Sequence, residues 1–476
     1  MGRTYGFTAR RGMETLGFKI FKEIQKTYEP DAEALFVASD DKEAAVIERL
    51  AEGDPSIHIE QFSKYIDAHW DEFTVEKLAE VEKRFDCAPI WQYIYTDRIL
   101  IHRDYDYTVH VSAGLFCFWE HVFTKYGAII FYDEAMSTLH SYAAYIVGKK
   151  TGTHFLSQLL VRGNNMEYTW HYMIDEPFQH NCFFNDDYKN ETYTAEEVMA
   201  ATEFLENFEN TDIKPLYMQL EGKEPKLSPK FLLRIPFYFK QKYFNPLTRD
   251  KGSYIFYRQY EGIFEPINEV FRYKKSKKYY KNPDLNQKYV YYALHFQPEA
   301  STIICAPKYE KQLFFIDSLA KSLPADTVLY VKEHYSGLGT RPIQFYKELE
   351  QYPNVVLITP WADSRQLIEH AQCVATLTGT VGWEAFLLRR PVIMSGDIFY
   401  TNAPGIMHVE EIFGKYIELM DSWVQPSRED VINYLCEYIR SARRGNTYIS
   451  LESRHDDDNI PDVAASVWEY VSKNCN

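Results

Sequence analysis

The chain is 476 residues long, more than a single hydrophobic core of ~250–300 residues accommodates, so two domains are expected. Its 46% hydrophobic and 25% charged residues, with 21 each of Gly and Pro, exclude a collagen-like chain, low-complexity disorder and a disulfide miniprotein. A formal net charge of −16 argues against non-specific nucleic-acid binding. No stretch approaches the ~18–20 apolar residues of a spanning helix. The start, Met1-Gly2-Arg3-Thr4-Tyr5, lacks the apolar region of a secretory signal, so a cytoplasmic setting is expected. Cys87, Cys117, Cys182, Cys305, Cys373, Cys436 and Cys475 are scattered and never spaced C-x-x-C. Buried reduced thiols are expected, not disulfides or a cysteine zinc site.

In chain order, Ala34-Leu35-Phe36-Val37-Ala38 reads as a strand, and Ile59 to His69 and Thr74 to Phe85 as helices. Ala128 to Phe131 is a second strand ending in Asp133-Glu134, Ser137 to Val147 a helix, and Phe155 to Val161 a further strand. Residues 1–180 are therefore expected to form a Rossmann-like domain. Residues 181–288 read as a connector or insertion. Between Lys214 and Lys288 there are 17 Lys and Arg against 7 Asp and Glu, with aromatic runs such as Phe237-Tyr238-Phe239 and Tyr243-Phe244. Such a segment suits contact with an anionic membrane surface, a solvated basic face over its own aromatic core, or stacking on glycan rings.

From Tyr289 the alternation is clearer. Tyr289 to Leu294, Val328 to Val331, Val355 to Ile358, Val374 to Leu377 and Pro391 to Met394 are apolar strands separated by helices. The helices are read from about Glu310, near Pro342 to Leu349, around Leu367 to Ala371, and over Val381 to Leu388. Continuous apolar strands alternating with amphipathic helices predict a parallel sheet covered on both faces, a second Rossmann-like domain over residues 289–425. Residues 426–476 read as C-terminal helices. Ser427 caps one whose stripe is Val431, Tyr434, Leu435, Tyr438 and Ile439, and another runs from Pro461 to about Val471.

Ligands of such sheets bind beyond the carboxyl ends of the strands, which selects the loops at 295–302, 332–335, 359–361 and 378–382. Thr378-Gly379-Thr380-Val381-Gly382 stands between a strand and a helix. Its small residues let amide donors approach an anion, or simply allow a tight turn. Glu384, in the first turns of that helix, is placed for ribose hydroxyls or is a surface residue favoured by the helix dipole. Lys332 and His334 suit a phosphate ester, with Arg341 as a further phosphate contact or a loop charge. Glu299 is placed to act as nucleophile or base in sugar transfer, and Glu134 as a general base toward an acceptor hydroxyl. Each also has a purely structural reading. Asp456-Asp457-Asp458 reads as a solvated loop and not a metal triplet, and no metal or other cofactor is expected.

The motifs Val331-Lys332-Glu333-His334, Thr378-Gly379-Thr380-Val381-Gly382-Trp383-Glu384-Ala385 and Gly396-Asp397-Ile398-Phe399-Tyr400 resemble the bacterial capsule polysaccharide biosynthesis family, which includes retaining β-Kdo transferases. The resemblance covers about Tyr289 to Gly405. It implies a GT-B arrangement of two Rossmann-like domains, with the final helices crossing back to the N-terminal one. It further implies that His334 contacts the nucleotide phosphate, that Thr378, Thr380 and Glu384 hold the nucleotide, and that Glu299, two residues before Ser301, occupies the place of a nucleophile. The usual His-Pro of the family is His334-Tyr335 here, and its usual Asp is Glu299. The expectation is a glycosyltransferase acting in capsule or surface-polysaccharide synthesis, with CMP-Kdo or another nucleotide sugar as donor. Its acceptor would be a glycan or glycolipid at the inner membrane face, with no nucleic-acid partner. The alternatives are a nucleotide-sugar epimerase of the same architecture and a non-catalytic polysaccharide assembly or binding protein.

Overall fold

The structure is a computed structural model and describes residues 2–10, 12–163, 166, 169–210, 224–227, 230–448 and 452–475. The chain divides into two units: residues 1–183, 236–261 and 442–476 form one, residues 184–235 and 262–441 the other.

The first unit is built on a seven-stranded sheet. Its strands are β1 (Thr4–Thr8), β2 (Glu33–Ala38), β3 (Ile57–Gln61), β4 (Ala128–Tyr132), β5 (His154–Leu160), β6 (Trp170–Ile174) and, from the C-terminal part of the chain, β13 (Arg443–Arg444). The order is β13-β6-β5-β4-β1-β2-β3. Pairing is parallel from β5 through β3, and antiparallel where β6 meets β5 and β13. β1 is buried along its whole length, and the helix Met13–Thr27 packs Leu16, Ile20, Phe21 and Ile24 beneath it. Gly17 allows a close approach there, because a Cβ would lie 3.3 Å from the Phe7 ring. The helix Asn459–Asn474 adds Val463, Val467, Tyr470 and Val471 to the same core.

Three expectations change in this unit. Ile57–Gln61 is a strand and only Phe62–Ala68 is helical, because the chain pairs beside β2 before it turns. The 22-residue helix Tyr105–Tyr126 was not foreseen. It is apolar nearly all round because other elements cover it on several sides, so it shows little helical periodicity. Asp104 caps its start through the Tyr107 amide at 2.9 Å, and Gly127 ends it at φ 60°. The expected connector 181–288 is not one body, since 181–183 and 236–261 belong to the first unit and the other described residues of the stretch to the second. Tyr254 explains the division: it is fully buried, and its hydroxyl donates to the buried Asp97 carboxylate at 3.1 Å.

The second unit carries a six-stranded sheet of order β12-β11-β10-β7-β8-β9. These strands are β7 (Tyr289–Ala293), β8 (Val328–Lys332), β9 (Val355–Ile358), β10 (Cys373–Thr376), β11 (Val392–Met394) and β12 (Ile406–His408). Every pairing is parallel. Along β7 and β8 the side chains alternate between two cores: Tyr289, Tyr291 and Tyr330 on one face, Val290, Tyr292, Leu329 and Val331 on the other. Burial on both faces is why these strands read as unbroken apolar runs.

Ser427 caps the helix Arg428–Arg440 in a capping box with Asp430, as expected. Its destination differs from the expectation. That helix packs within the second unit against Ala195–Asn210, and the chain rejoins the first unit from Ala442 onward. Glu197 and Arg440 fix that packing through bonds of 2.6 and 2.8 Å. All seven cysteines are free thiols. Two Rossmann-like units in one chain are the parts from which a GT-B protein is made.

Candidate functional site

Each sheet has one place where successive connections leave in opposite directions, the usual location of a ligand crevice in parallel α/β folds. In the second unit it lies between β7 and β10, whose following loops hold 295–301 and 377–380. His295 joins the two loops. Its Nε2 accepts from the Leu377 amide at 3.3 Å, and its own amide donates to Gln312 Oε1 at 2.8 Å. Burial, helped by the nearby His334 and Arg341, lowers its pKa to about 3, so the ring is neutral. A second tie runs from the Thr378 hydroxyl to the Ser301 carbonyl at 2.6 Å. This hydroxyl holds the two loops together.

The turn at Gly379 starts the helix Thr380–Leu387. The Gly379 amide donates to Thr376 Oγ1 at 2.9 Å, and the Gly379 carbonyl accepts from the Tyr400 hydroxyl. A Cβ on Gly382 would lie 2.5 Å from that hydroxyl, so Gly382 is needed for packing. The amides of Thr380 and Val381, in the helix's first turn, have no intrahelical acceptor by geometry and are the donors suited to an anion. Thr380 and Glu384 are half-buried, while Glu299 is exposed. Glu299 stands at the N-cap of Ala300–Ile303, and one of its carboxylate oxygens accepts from the Ser301 hydroxyl at 3.1 Å.

At the end of β8 the structure corrects two assignments. Lys332 does not emerge with His334: it is buried and donates to the Ser364 hydroxyl at 2.6 Å. Arg341 is not an exposed loop charge. It is buried in an ion pair with Glu333 at 3.1 Å and also donates to the His295 carbonyl. Glu333 accepts from the Tyr346 hydroxyl at 2.7 Å, which satisfies the rest of that carboxylate. The pair thus fixes the β7 loop from behind. His334 remains half-exposed. Its Nδ1 accepts from the Ser336 amide at 3.2 Å, which places the ring proton on Nε2. Burial, followed by the charges of Arg341 and Lys332, lowers its pKa to about 4. His334 is therefore a neutral hydrogen-bond donor near neutral pH, suited to a phosphate oxygen and unsuited to act as a cation. Phe296 lies 6.0 Å from its ring, and Tyr335 stacks edge-on with the exposed Trp361 at 5.0 Å.

In the first unit the corresponding place lies between β1 and β4. Arg10, following β1, meets Asp133, following β4, at 3.1 Å, and both are buried. Ser141 donates to the same carboxylate at 2.8 Å, and the Glu134 amide donates to its other oxygen at 2.9 Å. Glu134 is half-buried at the rim of this pair. Sequence reading named Glu134 but missed Arg10 and Asp133, because a charge pair 123 residues apart has no local pattern. Asp456, Asp457 and Asp458 lie on the exposed side of a turn. Among the described residues no group of three or more His, Cys, Asp or Glu is placed to hold a metal ion.

Residues 266–411 match the family described as capsule polysaccharide biosynthesis protein, the stretch that holds all six strands of the second sheet and the loops that carry the resemblance. No curated protein matches. Among solved structures, the chain is similar to a β-Kdo 2,4 transferase, KpsC, of Thermosulfurimonas dismutans, with 13% identity over 71% of this chain and 86% of that one and a TM-score of 0.36. It is also similar to a UDP-GlcNAc 2-epimerase of Neisseria meningitidis, with 12% identity over 100% of both chains and a TM-score of 0.24. Superpositions this loose leave the fold class resting on the two strand orders themselves.

Proposed function

We propose that the chain is a glycosyltransferase of capsule or surface-polysaccharide synthesis that takes a nucleotide-activated sugar as donor and a glycan or glycolipid as acceptor. The observation that carries this reading is a coincidence of place. The family match spans the sheet whose strand ends carry a neutral His334 donor after β8 and the Thr380 and Val381 amides with half-buried Glu384 after β10. These groups suit a nucleotide diphosphate or monophosphate ester, with the carboxylate of Glu384 toward ribose hydroxyls. CMP-Kdo is the donor suggested by the family resemblance, and the cytoplasm, where nucleotide sugars are made, is the compartment. No step in this reading requires a metal.

Glu299 is the group assigned to the anomeric carbon. An exposed carboxylate held by the Ser301 hydroxyl can approach an oxocarbenium-like centre. In this reading Glu134 serves as base toward the acceptor hydroxyl. The test is Glu299→Gln measured in two assays, nucleotide binding by titration and sugar transfer to a glycan primer. Binding retained with transfer reduced at least ~100-fold supports the assignment. Conversion of free nucleotide sugar without any acceptor would instead establish an epimerase, and absence of nucleotide binding by the wild type would establish an assembly protein.

A further inference from the structure

The helix Lys230–Phe244 has its amphipathicity reversed. Its described inward positions, Phe231, Ile235 and Tyr238, are buried or half-buried, yet its solvent side holds Leu233, Phe237, Phe239, Tyr243 and Phe244. Leu233 is 77% and Phe244 78% exposed, values expected of lysines. At ~100° per residue, Leu233, Phe237 and Phe244 fall within about 40° of one another, and Phe239 and Tyr243 extend the same side. Lys240 projects from within this apolar arc, and Lys242 lies against the Tyr243 ring at 5.4 Å. Between residues 230 and 258 the chain has seven Lys and Arg against a single Asp, within a protein of net charge −16.

The surface rests on a firm foot. Gly252 donates its amide to Asp67 at 2.7 Å, and a Cβ there would collide with the Ser63 carbonyl. Tyr257 stacks on Tyr107 at 4.8 Å, and the Tyr257 carbonyl accepts from Arg103 at 2.6 Å. The segment after the helix is thus locked into the first unit, while the helix's aromatic side is left outward.

We infer that this side of the helix 230–244 is a docking surface for the anionic face of a lipid bilayer. Aromatic rings and Leu interleaved with Lys match the boundary between acyl chains and phosphate headgroups. Charge decides between occupants. The chain as a whole is repelled by an anionic membrane, and this region is its basic exception, so approach is possible in one orientation. Among the described residues no helix is long and apolar enough to cross a membrane, so the contact is peripheral. The inference goes beyond the proposed transfer reaction and does not depend on it.

The test is co-sedimentation of the full chain with vesicles of phosphatidylcholine alone or with 30% phosphatidylglycerol, in 50 and 500 mM NaCl. The expected result is binding to the anionic vesicles at low salt only. Phe237→Ser with Phe244→Ser should reduce it at least tenfold, and Lys240→Glu with Lys242→Glu should abolish the preference for phosphatidylglycerol. Both variants should keep the wild-type urea midpoint, since the side chains are exposed. Equal binding by wild type and both variants, or none by the wild type, would overturn the inference. A concentration-dependent dimer of the wild type, lost in the double Ser variant and indifferent to vesicles, would assign the surface to a second copy instead. Nucleotide titration of the same samples separates failure here from failure of the transferase reading.

Discussion

The two sheets have the same kind of crevice, closed by different chemistry. Between β1 and β4, Arg10 and Asp133 meet as a buried ion pair that fills the gap. Between β7 and β10, the loops are joined by neutral contacts, the His295–Leu377 bond and the Thr378–Ser301 bond, and the ion pair Arg341–Glu333 sits behind them. With its buried ion pair behind the loops, the second crevice is left with a neutral imidazole, amide donors and the carboxylates of Glu299 and Glu384 at its rim. The family match falls on the sheet built in this second way.

That contrast can be broken by substitution, and the largest effects concern the ion pairs. Arg341→Ala and Arg10→Ala each leave a buried carboxylate without its partner and should cost about 3–5 kcal/mol in urea unfolding. Arg341→Ala should also weaken nucleotide binding, because it releases the His295 loop. If both variants weaken nucleotide binding equally, the two crevices are not distinct in role.

Acid should destabilise the protein next. His295, His334 and His171 have folded pKa values lowered to about 3, 4 and 4, chiefly by burial. The unfolded chain then binds more protons below about pH 6.5, so stability is full above that value and is lost as pH falls toward 4, by up to a few kcal/mol per fully buried ring. Unfolding midpoints measured from pH 7.5 to 4.5 check the sign. His295→Gln should flatten the profile.

Gly382→Ala follows, at about 1–3 kcal/mol, because the added methyl meets the Tyr400 hydroxyl. Thr378→Val should cost about 1 kcal/mol for the lost bond to the Ser301 carbonyl. Its effect on nucleotide affinity should exceed its effect on stability. An unchanged affinity would show that the tie between the loops is irrelevant to binding.

What could be read from the sequence follows the same division. The second sheet was legible through β11 because strands buried on both faces are short apolar runs between helices, as Val290 to Tyr292 and Leu329 to Val331 show. β12 escaped notice: Ile406–His408 is a three-residue edge strand with an exposed end. In the first unit, Thr4–Thr8 is a strand of mixed polarity, and the helix Tyr105–Tyr126 has no polar face to mark its period. The candidate site is read from strand ends and the Thr-Gly turn. The roles of Lys332 and Arg341 were misassigned because a cation after a strand looks the same in sequence whether it faces a ligand or a buried partner such as Glu333. The helix Arg428–Arg440 showed its cap and stripe but not which unit it would cover.

The most direct measurement is titration of CMP, UDP, GDP and dTDP into wild type, His334→Ala and Glu134→Gln at pH 7.5. One nucleotide should bind the wild type and Glu134→Gln alike, and should bind His334→Ala at least tenfold more weakly, because the neutral Nε2 donor is gone. Undiminished binding by His334→Ala, or a loss that appears only in Glu134→Gln, would contradict a nucleotide-sugar site at the β7–β10 crevice.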